Sequence, residues 1–563
     1  MTDLRNGSPS AVTGARLLVD ALVANGVDLA FCVPGESYLA VLDALVDTPS
    51  IRLVTCRQEG GASAMAEGAG KLSGRPGVCF VTRGPGATNA SIGVHVARQD
   101  ETPLVLFVGQ VPRSQRGREA FQEIDIAQTF APLAKWAVEI DDPARIVEIV
   151  TRAFATALAG RRGPVVVGLP EDVLSATVRA PAVPHVVAPS RFGTDAAGVA
   201  ACRAMLAEAE RPLILVGGGR WSAQAARDLA RFAEAAGVPV IADFRCQDYV
   251  DQRSSSYVGD TGFRLSEHVR STLAESDCIL ALGTRLGEVV TGGYTVLAPP
   301  RPAQRLIHVY PDPDELGRVF GADLALVADP PEFIAALSAA AGGSPVGRAR
   351  ERMGHLRDAY RAERQRSKPP AFGVDLAESM RYMRAALPDD AIVANGAGNF
   401  SGWLHAFFEF RRYGTQLAAR NGSMGYGFPA AIAAKISYPK RTVVAYVGDG
   451  DFLMSAQELA TAMLADAPLV ILVANNGMYG TIRMHQELAY PGRISATTLR
   501  NPDFAAFARS FGALGELVET TDAFPAAFDR ALASGTTTLL ELRVDPELIV
   551  PRATIADLRS RGR

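Results

Sequence analysis

The chain is poor in the features that mark secreted, membrane-bound or nucleic-acid-binding proteins. It has six cysteines, Cys32, Cys56, Cys79, Cys202, Cys246 and Cys278, with no C-x-x-C pair and several inside apolar runs. That excludes a disulfide framework and points to reduced thiols in a core. Seven histidines are scattered without metal-ligand spacing, so no zinc site is expected. No apolar run approaches the roughly 18 residues of a membrane-spanning helix. The opening MTDLRNGSPS lacks the basic-then-apolar pattern of a secretion signal. A cytoplasmic protein without a membrane partner is expected. A net charge of -3 gives no reason for a nucleic-acid partner either.

What is there is a chain of 563 residues, 48% hydrophobic, too long for one core. Two stretches read as linkers. Ala180 to Gly193 carries three prolines and no helical period. Gly342 to Gly373 opens with Gly-Gly-Ser-Pro, continues as a charged helical run that reads as a solvated face, and ends in Pro369-Pro370. Three blocks result, 11–180, 194–341 and 374–545, followed by a C-terminal tail over 546–563. Each alternates apolar strands with amphipathic helices, so the expected fold class is α/β, with three doubly wound parallel-sheet domains.

The most informative stretch lies in the third block. Thr442 to Val447 is an apolar, β-branched run that reads as a strand buried on both faces. It ends in Gly448-Asp449-Gly450. An amphipathic helix is expected over Ser455 to Ala465, with Ser455 as N-cap, and a second strand over Leu469 to Ala474, ending in Asn475-Asn476-Gly477. In such a β-α-β unit the polar residues gather at the carboxyl edge, where open α/β sheets bind ligands. Asp and Asn oxygens and loop carbonyls suit a small divalent ion such as Mg2+ that also takes phosphate oxygens. Gly448 and Gly450 allow close backbone approach, so a metal and a diphosphate are expected here.

The first block reads as a helix over Ala11 to Ala24 and strands over Leu29 to Val33, Ile51 to Thr55, Val78 to Val81 and Leu104 to Val108. Glu59 sits at the carboxyl end of the second strand and opens a helix of small residues. It is either a desolvated carboxyl with a proton-transfer role or a favourable charge at a helix N-terminus. The middle block has strands over Pro212 to Val216, Val238 to Ile241, Cys278 to Leu282 and Leu306 to Tyr310. Its Gly217 to Ser222 does not complete G-x-G-x-x-G.

Taken together, Pro34-Gly35, Arg57-x-Glu59-x-Gly61, Gly84-Pro85-Gly86-Ala87-Thr88-Asn89, Gly109-Gln110-Val111-Pro112, Ala120-Phe121-Gln122-Glu123, Gly163-Pro164-Val165 and Met424-Gly425-Tyr426-Gly427-Phe428-Pro429 join the Gly-Asp-Gly…Asn-Asn motif in order. Over nearly the whole chain this resembles the thiamine diphosphate (ThDP) enzymes, closest in pattern to the acetolactate synthase group. The resemblance implies a pyrimidine-binding first domain, a diphosphate-binding third domain, and a cofactor shared between two copies of the chain in a homodimer or homotetramer. By it, Glu59 meets the pyrimidine N1', with Pro34 and Asn89 nearby. Asp449, Asn476 and the Met478 carbonyl hold Mg2+. Met424 wedges under the cofactor, Gly398, Asn399 and Tyr479 lie close to it, and Gln122 and Phe121 face the substrate.

The implied reaction is decarboxylation of a 2-oxo acid with transfer of the remaining unit to a carbonyl acceptor. A simple decarboxylase, a 2-hydroxyacyl-CoA lyase, a flavin-linked oxidase and a non-catalytic paralogue stay open as alternatives. The acceptor-binding arginine of that group is replaced by Val289, and its tryptophan after the metal loop by His485. Arg83, Arg483 and His485 are candidates for the missing contact. The central block in that group carries FAD; Gly217 to Gly219, Arg285 and His308 to Asp314 match in part, and Tyr310 stands where an acidic residue meets the ribose. FAD, ADP or an empty central block remain open.

Overall fold

The computed structural model describes residues 11–179, 186, 188, 191–339 and 347–561. The chain divides into two compact units, Met1–Ser190 and Arg191–Arg563. The first holds strands β1 (Ala11–Thr13), β2 (Leu29–Cys32), β3 (Arg52–Thr55), β4 (Gly77–Val81), β5 (Leu104–Gln110), β6 (Trp136–Glu139), β7 (Pro164–Pro170) and β8 (Thr177–Arg179). Six of them form a parallel sheet in the order β3-β2-β4-β5-β7-β6. Its two central strands, β4 and β5, are buried along their whole length, as expected where helices cover both faces. The helix expected from Ala11 begins instead at Gly14. Ala11–Thr13 pairs antiparallel with β8, and the Thr13 side chain caps the helix by accepting the Arg16 N–H.

The second unit contains two more parallel sheets. The central one is built from β9 (Pro212–Val216), β10 (Val240–Ala242), β11 (Tyr257–Asp260), β12 (Cys278–Leu282), β13 (Arg305–Tyr310) and β14 (Leu324–Val327), in the order β11-β10-β9-β12-β13-β14. The last is built from β15 (Ile392–Asn395), β16 (Gln416–Leu417), β17 (Val443–Gly448), β18 (Val470–Asn475), β19 (Leu514–Val518) and β20 (Thr538–Arg543), in the order β16-β15-β17-β18-β20-β19. Each of the three sheets has a point where its strand order reverses, between β2 and β4, β9 and β12, and β15 and β17. The carboxyl ends of those strand pairs open the crevices in which such sheets bind ligands.

The two sheets of the second unit are joined by buried polar contacts. The Asp248 carboxylate accepts the backbone N–H groups of Gly414, Thr415 and Gln416 at 2.8, 2.9 and 3.1 Å. The Arg245 guanidinium donates to the carbonyls of Ala419 and Gly396. All six cysteines are buried and none forms a disulfide. Among the described residues no helix is long and apolar enough to cross a membrane.

Two further sequence expectations change, and one lies beyond reach of the described residues. The Ala180–Gly193 linker falls largely outside the described residues, as does the Gly-Gly-Ser-Pro opening of the second. The charged run that follows is a helix, Gly347–Gln365, but not a purely solvated one. Met353, Arg357 and Tyr360 are buried on one stripe, and Arg357 donates to the carbonyls of Tyr257 and Gln252 at 2.7 and 2.6 Å. In place of one helix over Ser455 to Ala465, the chain makes a short turn of helix at Asp449–Phe452, a 3-10 turn at Ala456–Glu458 and a helix at Leu459–Leu464, and Ser455 makes no side-chain cap.

The expected tail is also ordered. Its helix Ile555–Arg561 packs on helix Gly480–Ala489 through Met484, Ile549, Ala553, Ile555 and Leu558. Beneath it, Glu487 is 1% exposed and bonded to Arg559 at 2.7 and 2.9 Å and to Arg483 at 2.8 Å. Arg559 above all, with the Gly492 N–H and Arg483, holds this carboxyl down at about 2. A depressed carboxyl contributes stability above its ordinary value of 4.5 and loses it as the pH falls toward 2. Glu487→Gln is expected to lower stability at neutral pH by about 2 kcal/mol or more. Denaturation of both proteins across the acid range should show the gap closing below the ordinary carboxyl value; a pH-independent gap would refute the ion cluster.

Candidate active site

The site grows from the end of β17. Six buried residues bring the chain to Gly448, and Asp449 opens a short helical turn there. The two flanking glycines make room for rings. A Cβ at 448 would lie 2.7 Å from Phe400 and one at 450 would lie 2.6 Å from Tyr479, both on the aromatic carbons. Asp449 is 3% exposed. Its carboxylate accepts the Gly450 and Gly477 N–H groups at 2.9 and 2.8 Å and the Asn501 side-chain amide at 2.7 Å.

Burial pushes the Asp449 carboxyl up, and these donors pull it back down. Among the described residues no lysine or arginine pairs with it. A carboxylate has about four acceptor positions, so the three bonds leave one free. A desolvated anion without a counter-charge is costly, and a divalent ion would supply one. The residues present therefore fit Mg2+. Asn476 lines the same cavity, with its Oδ1 accepting the Met478 N–H at 3.1 Å. The described residues hold no cluster of three His, Cys, Asp or Glu side chains that would suit another metal.

Two participants escaped the sequence reading. Asn501 bridges Asp449 to Asn475, and Leu499 and Tyr479 bond back and forth between the 475–479 loop and the segment at 497–501. Nothing local in that segment signals this, because the contact spans about two dozen residues of chain. Asp451 accepts the N–H groups of Ala397 and Gly425 at 3.1 and 2.9 Å, tying the ends of β15 and the Met424 loop to the Asp449 turn. Its signal was present in Gly448-Asp449-Gly450-Asp451. Burial pushes its carboxyl up to about 6.

These elements enclose a cavity of about 570 Å3 lined by Gly398, Asn399, Met424, Gly448, Asp449, Gly450, Asn476, Met478, Tyr479 and His485. The central domain adds Arg245, Phe263, Arg264 and Glu288 to its wall. Asn399 is largely committed to holding the wall together. Its amide donates to the carbonyls of Gly480 and Ile549 at 3.3 and 3.1 Å, and its Oδ1 accepts the Thr481 hydroxyl at 3.0 Å. Arg483 does not line the cavity, being buried against Glu487.

In the first unit, Glu59 is half-buried at the start of helix Glu59–Ser73, and its carboxylate accepts the Asn89 amide at 2.9 Å. Gln58, one residue earlier, caps the helix by accepting the Gly61 N–H. Glu59 is thus left to face Asn89 rather than the helix end. Gln122 adopts a left-handed φ of 64°, its carbonyl accepts the Gly84 N–H at 2.9 Å, and its side-chain oxygen is buried without a partner. Phe121 is 73% exposed beside it. Arg83 is buried against Glu171, lies 3.7 Å from Glu36 and donates to the Phe121 carbonyl. Pro34 follows β2 across the same switch point.

At the central switch point the carbonyls of two glycines are taken by the protein's own side chains. The Trp221 indole donates to the Gly217 carbonyl at 2.6 Å, and Tyr249 and Arg420 donate to the Gly218 carbonyl at 2.5 and 2.7 Å. Arg220 forms a buried ion pair with Asp329 at 2.8 Å, and Tyr310 is fully buried.

Comparison with known proteins agrees with this geometry. Residues 12–129 match the thiamine pyrophosphate enzyme N-terminal TPP binding domain, 199–337 the central domain and 396–542 the C-terminal TPP binding domain. The chain is 34% identical over 551 residues to the acetolactate synthase large subunit of Parasynechococcus marenigrum, covering 95% of this chain and 88% of that one. It is 32% identical to a probable acetolactate synthase large subunit of Methanocaldococcus jannaschii, covering 96% and 93% of the two chains. It is also 32% identical to the acetolactate synthase isozyme 2 large subunit of Escherichia coli, covering 95% and 96%. With three domain matches in register with its three sheets, the chain belongs to the thiamine pyrophosphate enzyme family, as an acetolactate synthase-like enzyme of carbon–carbon bond chemistry.

Proposed function

We propose that the protein decarboxylates a 2-oxo acid and joins the remaining unit to a carbonyl acceptor, with Mg2+ anchoring the diphosphate of its cofactor. The observation that carries this reading is Asp449, a buried carboxylate that no lysine or arginine among the described residues pairs with, lining the same cavity as Asn476 and Met478. The cofactor supplies the nucleophilic carbon and the electron sink, so no Ser-His-Asp set is needed. The chain's own residues hold and orient. Asp449, Asn476 and the Met478 carbonyl would take the metal, and Met424 would support the cofactor's bend. Glu59, kept in place by Asn89, would hold the proton at the pyrimidine N1'.

Gln122 and Phe121 would flank the substrate, with Gln122 held in a strained backbone conformation of the kind that collects at functional sites. Glu59 would act on cofactor bound by a second copy of the chain, making the protein a homo-oligomer. Supporting this, Leu453, Met454 and Ile482 stand 41, 52 and 54% exposed close to the metal loop, an apolar edge suited to a partner. The proposed setting is cytoplasmic, and His485 remains a candidate for substrate contact at the cavity wall.

The bonded Gly217 and Gly218 carbonyls and the buried Tyr310 at the central switch point favour an enzyme without flavin, so protein as purified is expected to show no flavin absorption in the visible. Stoichiometric FAD would overturn that part alone. Asp449→Ala is expected to abolish metal-dependent ThDP retention, and unchanged affinity by calorimetry would contradict the metal site. Glu59→Gln is expected to keep ThDP binding while lowering turnover by at least ~100-fold. Turnover at the native rate would remove Glu59 from the reaction. Products formed from a panel of 2-oxo acids, read by mass spectrometry, test the reaction itself.

A further inference from the structure

The cavity described above does not end at the cofactor loops. A second cavity of about 340 Å3 shares Phe263, Arg264, Gly398, Asn399, Ser401 and Met484 with it, so the two form one continuous cleft between the central and last sheets. The added space alone is in the size range of a small-molecule site.

The charges along this cleft single out one residue. Arg245 is spent on two backbone carbonyls. Arg364 donates to the Tyr360 hydroxyl at 2.9 Å, and Arg552 pairs with Glu363 at 3.1 Å. Burial drives the His405 pKa down to about 3, leaving that ring neutral. Among the described residues, Arg264 alone of the lining arginines enters neither an ion pair nor a hydrogen bond, and it lines both cavities. Glu288, the other exposed ionisable group on the central-domain wall, faces only the first cavity and makes no ion pair with it. Next to Arg264, Phe263 is 72% exposed, its ring set edge-on against Phe244 at 5.0 Å. An unpaired guanidinium beside an exposed aromatic ring matches an organic acid with an apolar stem, the ring covering the stem and the planar fork binding the carboxylate.

We propose that Arg264 and Phe263 form a subsite for a carboxylate carried on the far end of an extended substrate, such as the second carboxylate of a dicarboxylic 2-oxo acid. The subsite rests on the 2-oxo acid reading. It answers a gap in that reading, since Val289 stands where the acceptor-binding arginine is missing, and Arg83 and Arg483 are both held by glutamates.

The test uses the ThDP–Mg2+ holoprotein, comparing 2-oxoglutarate with pyruvate, and wild type with Arg264→Gln and Arg264→Lys. The loss of one charge-assisted hydrogen bond predicts that Arg264→Gln raises KM for 2-oxoglutarate about tenfold or more over any change for pyruvate, with kcat less affected. The lysine variant should recover part of the loss, and ThDP affinity should stay the same in all three. Equal changes for the two acids, or none, would overturn the subsite. Calorimetric binding of glutarate, which cannot react, gives a readout independent of turnover. If wild type converts no 2-oxo acid yet binds glutarate more tightly than Arg264→Gln does, the proposed reaction fails and the subsite stands. Equal glutarate binding, or a copurified flavin filling the cleft, would sink the subsite whatever the reaction proves to be.

Discussion

The constraint on which the rest depends is the burial of one negative charge at the end of one strand. Asp449 sits where β17 leaves the sheet, with its oxygens held by two backbone N–H groups and one amide, and among the described residues no lysine or arginine pairs with it. A desolvated carboxylate in that state is a standing cost, and the fold places it where the strand order reverses, so the opening above it is concave. Binding a divalent ion relieves the cost, and the ion then favours phosphate oxygens as its remaining ligands. The loops around it are arranged to keep that geometry. Asp451 fastens two neighbouring loops, Asn501 fastens the third, and the rings of Phe400 and Tyr479 fill the space the two glycines leave.

The central domain contributes through rigidity more than through its own switch point. Asp248 collects three N–H groups at the start of β16, and Arg245 reaches the carbonyls of Gly396 and Ala419. Arg245 does this from a left-handed φ of 60°, a conformation that costs a non-glycine residue of order 1–3 kcal/mol and persists only where its surroundings hold it. The result is a wall fixed against the cofactor-binding sheet, so the cleft between them has a defined width instead of depending on a hinge.

How much of this was legible depended on the range of the contacts. The strands read from apolar runs stand within a residue or two of where they fold, because a strand covered on both faces must be apolar throughout. Pro212–Val216 and Cys278–Leu282 are unchanged. The Gly-Asp-Gly and Asn-Asn turns were readable for the same reason, as polar residues interrupting such strands. Asn501 was not, because its role exists only once 497–501 folds back on 475–479. The Gly347–Gln365 helix was misjudged by its charge, since its buried stripe contains an arginine whose stem packs while its head finds carbonyls. Arg264 carries no local sequence signal, and only the bonds made by every other arginine in the cleft make it distinctive.

That contrast bears on where specificity can change in such a chain. The cofactor side of the cleft has few side chains to spare. Asn399 is occupied by Gly480, Ile549 and Thr481, Tyr479 lies against Gly450, and Asp451 holds two backbone segments. Substitution there would leave buried polar groups unsatisfied and disturb the metal loop with them. The facing wall is different: Phe263, Arg264 and Glu288 are exposed, and among the described residues the arginine and glutamate side chains enter no bond. A change in that wall alters what the cleft recognises without touching what holds the cofactor. One side can therefore remain committed to the shared chemistry of the family while the other sets which acid or acceptor is taken.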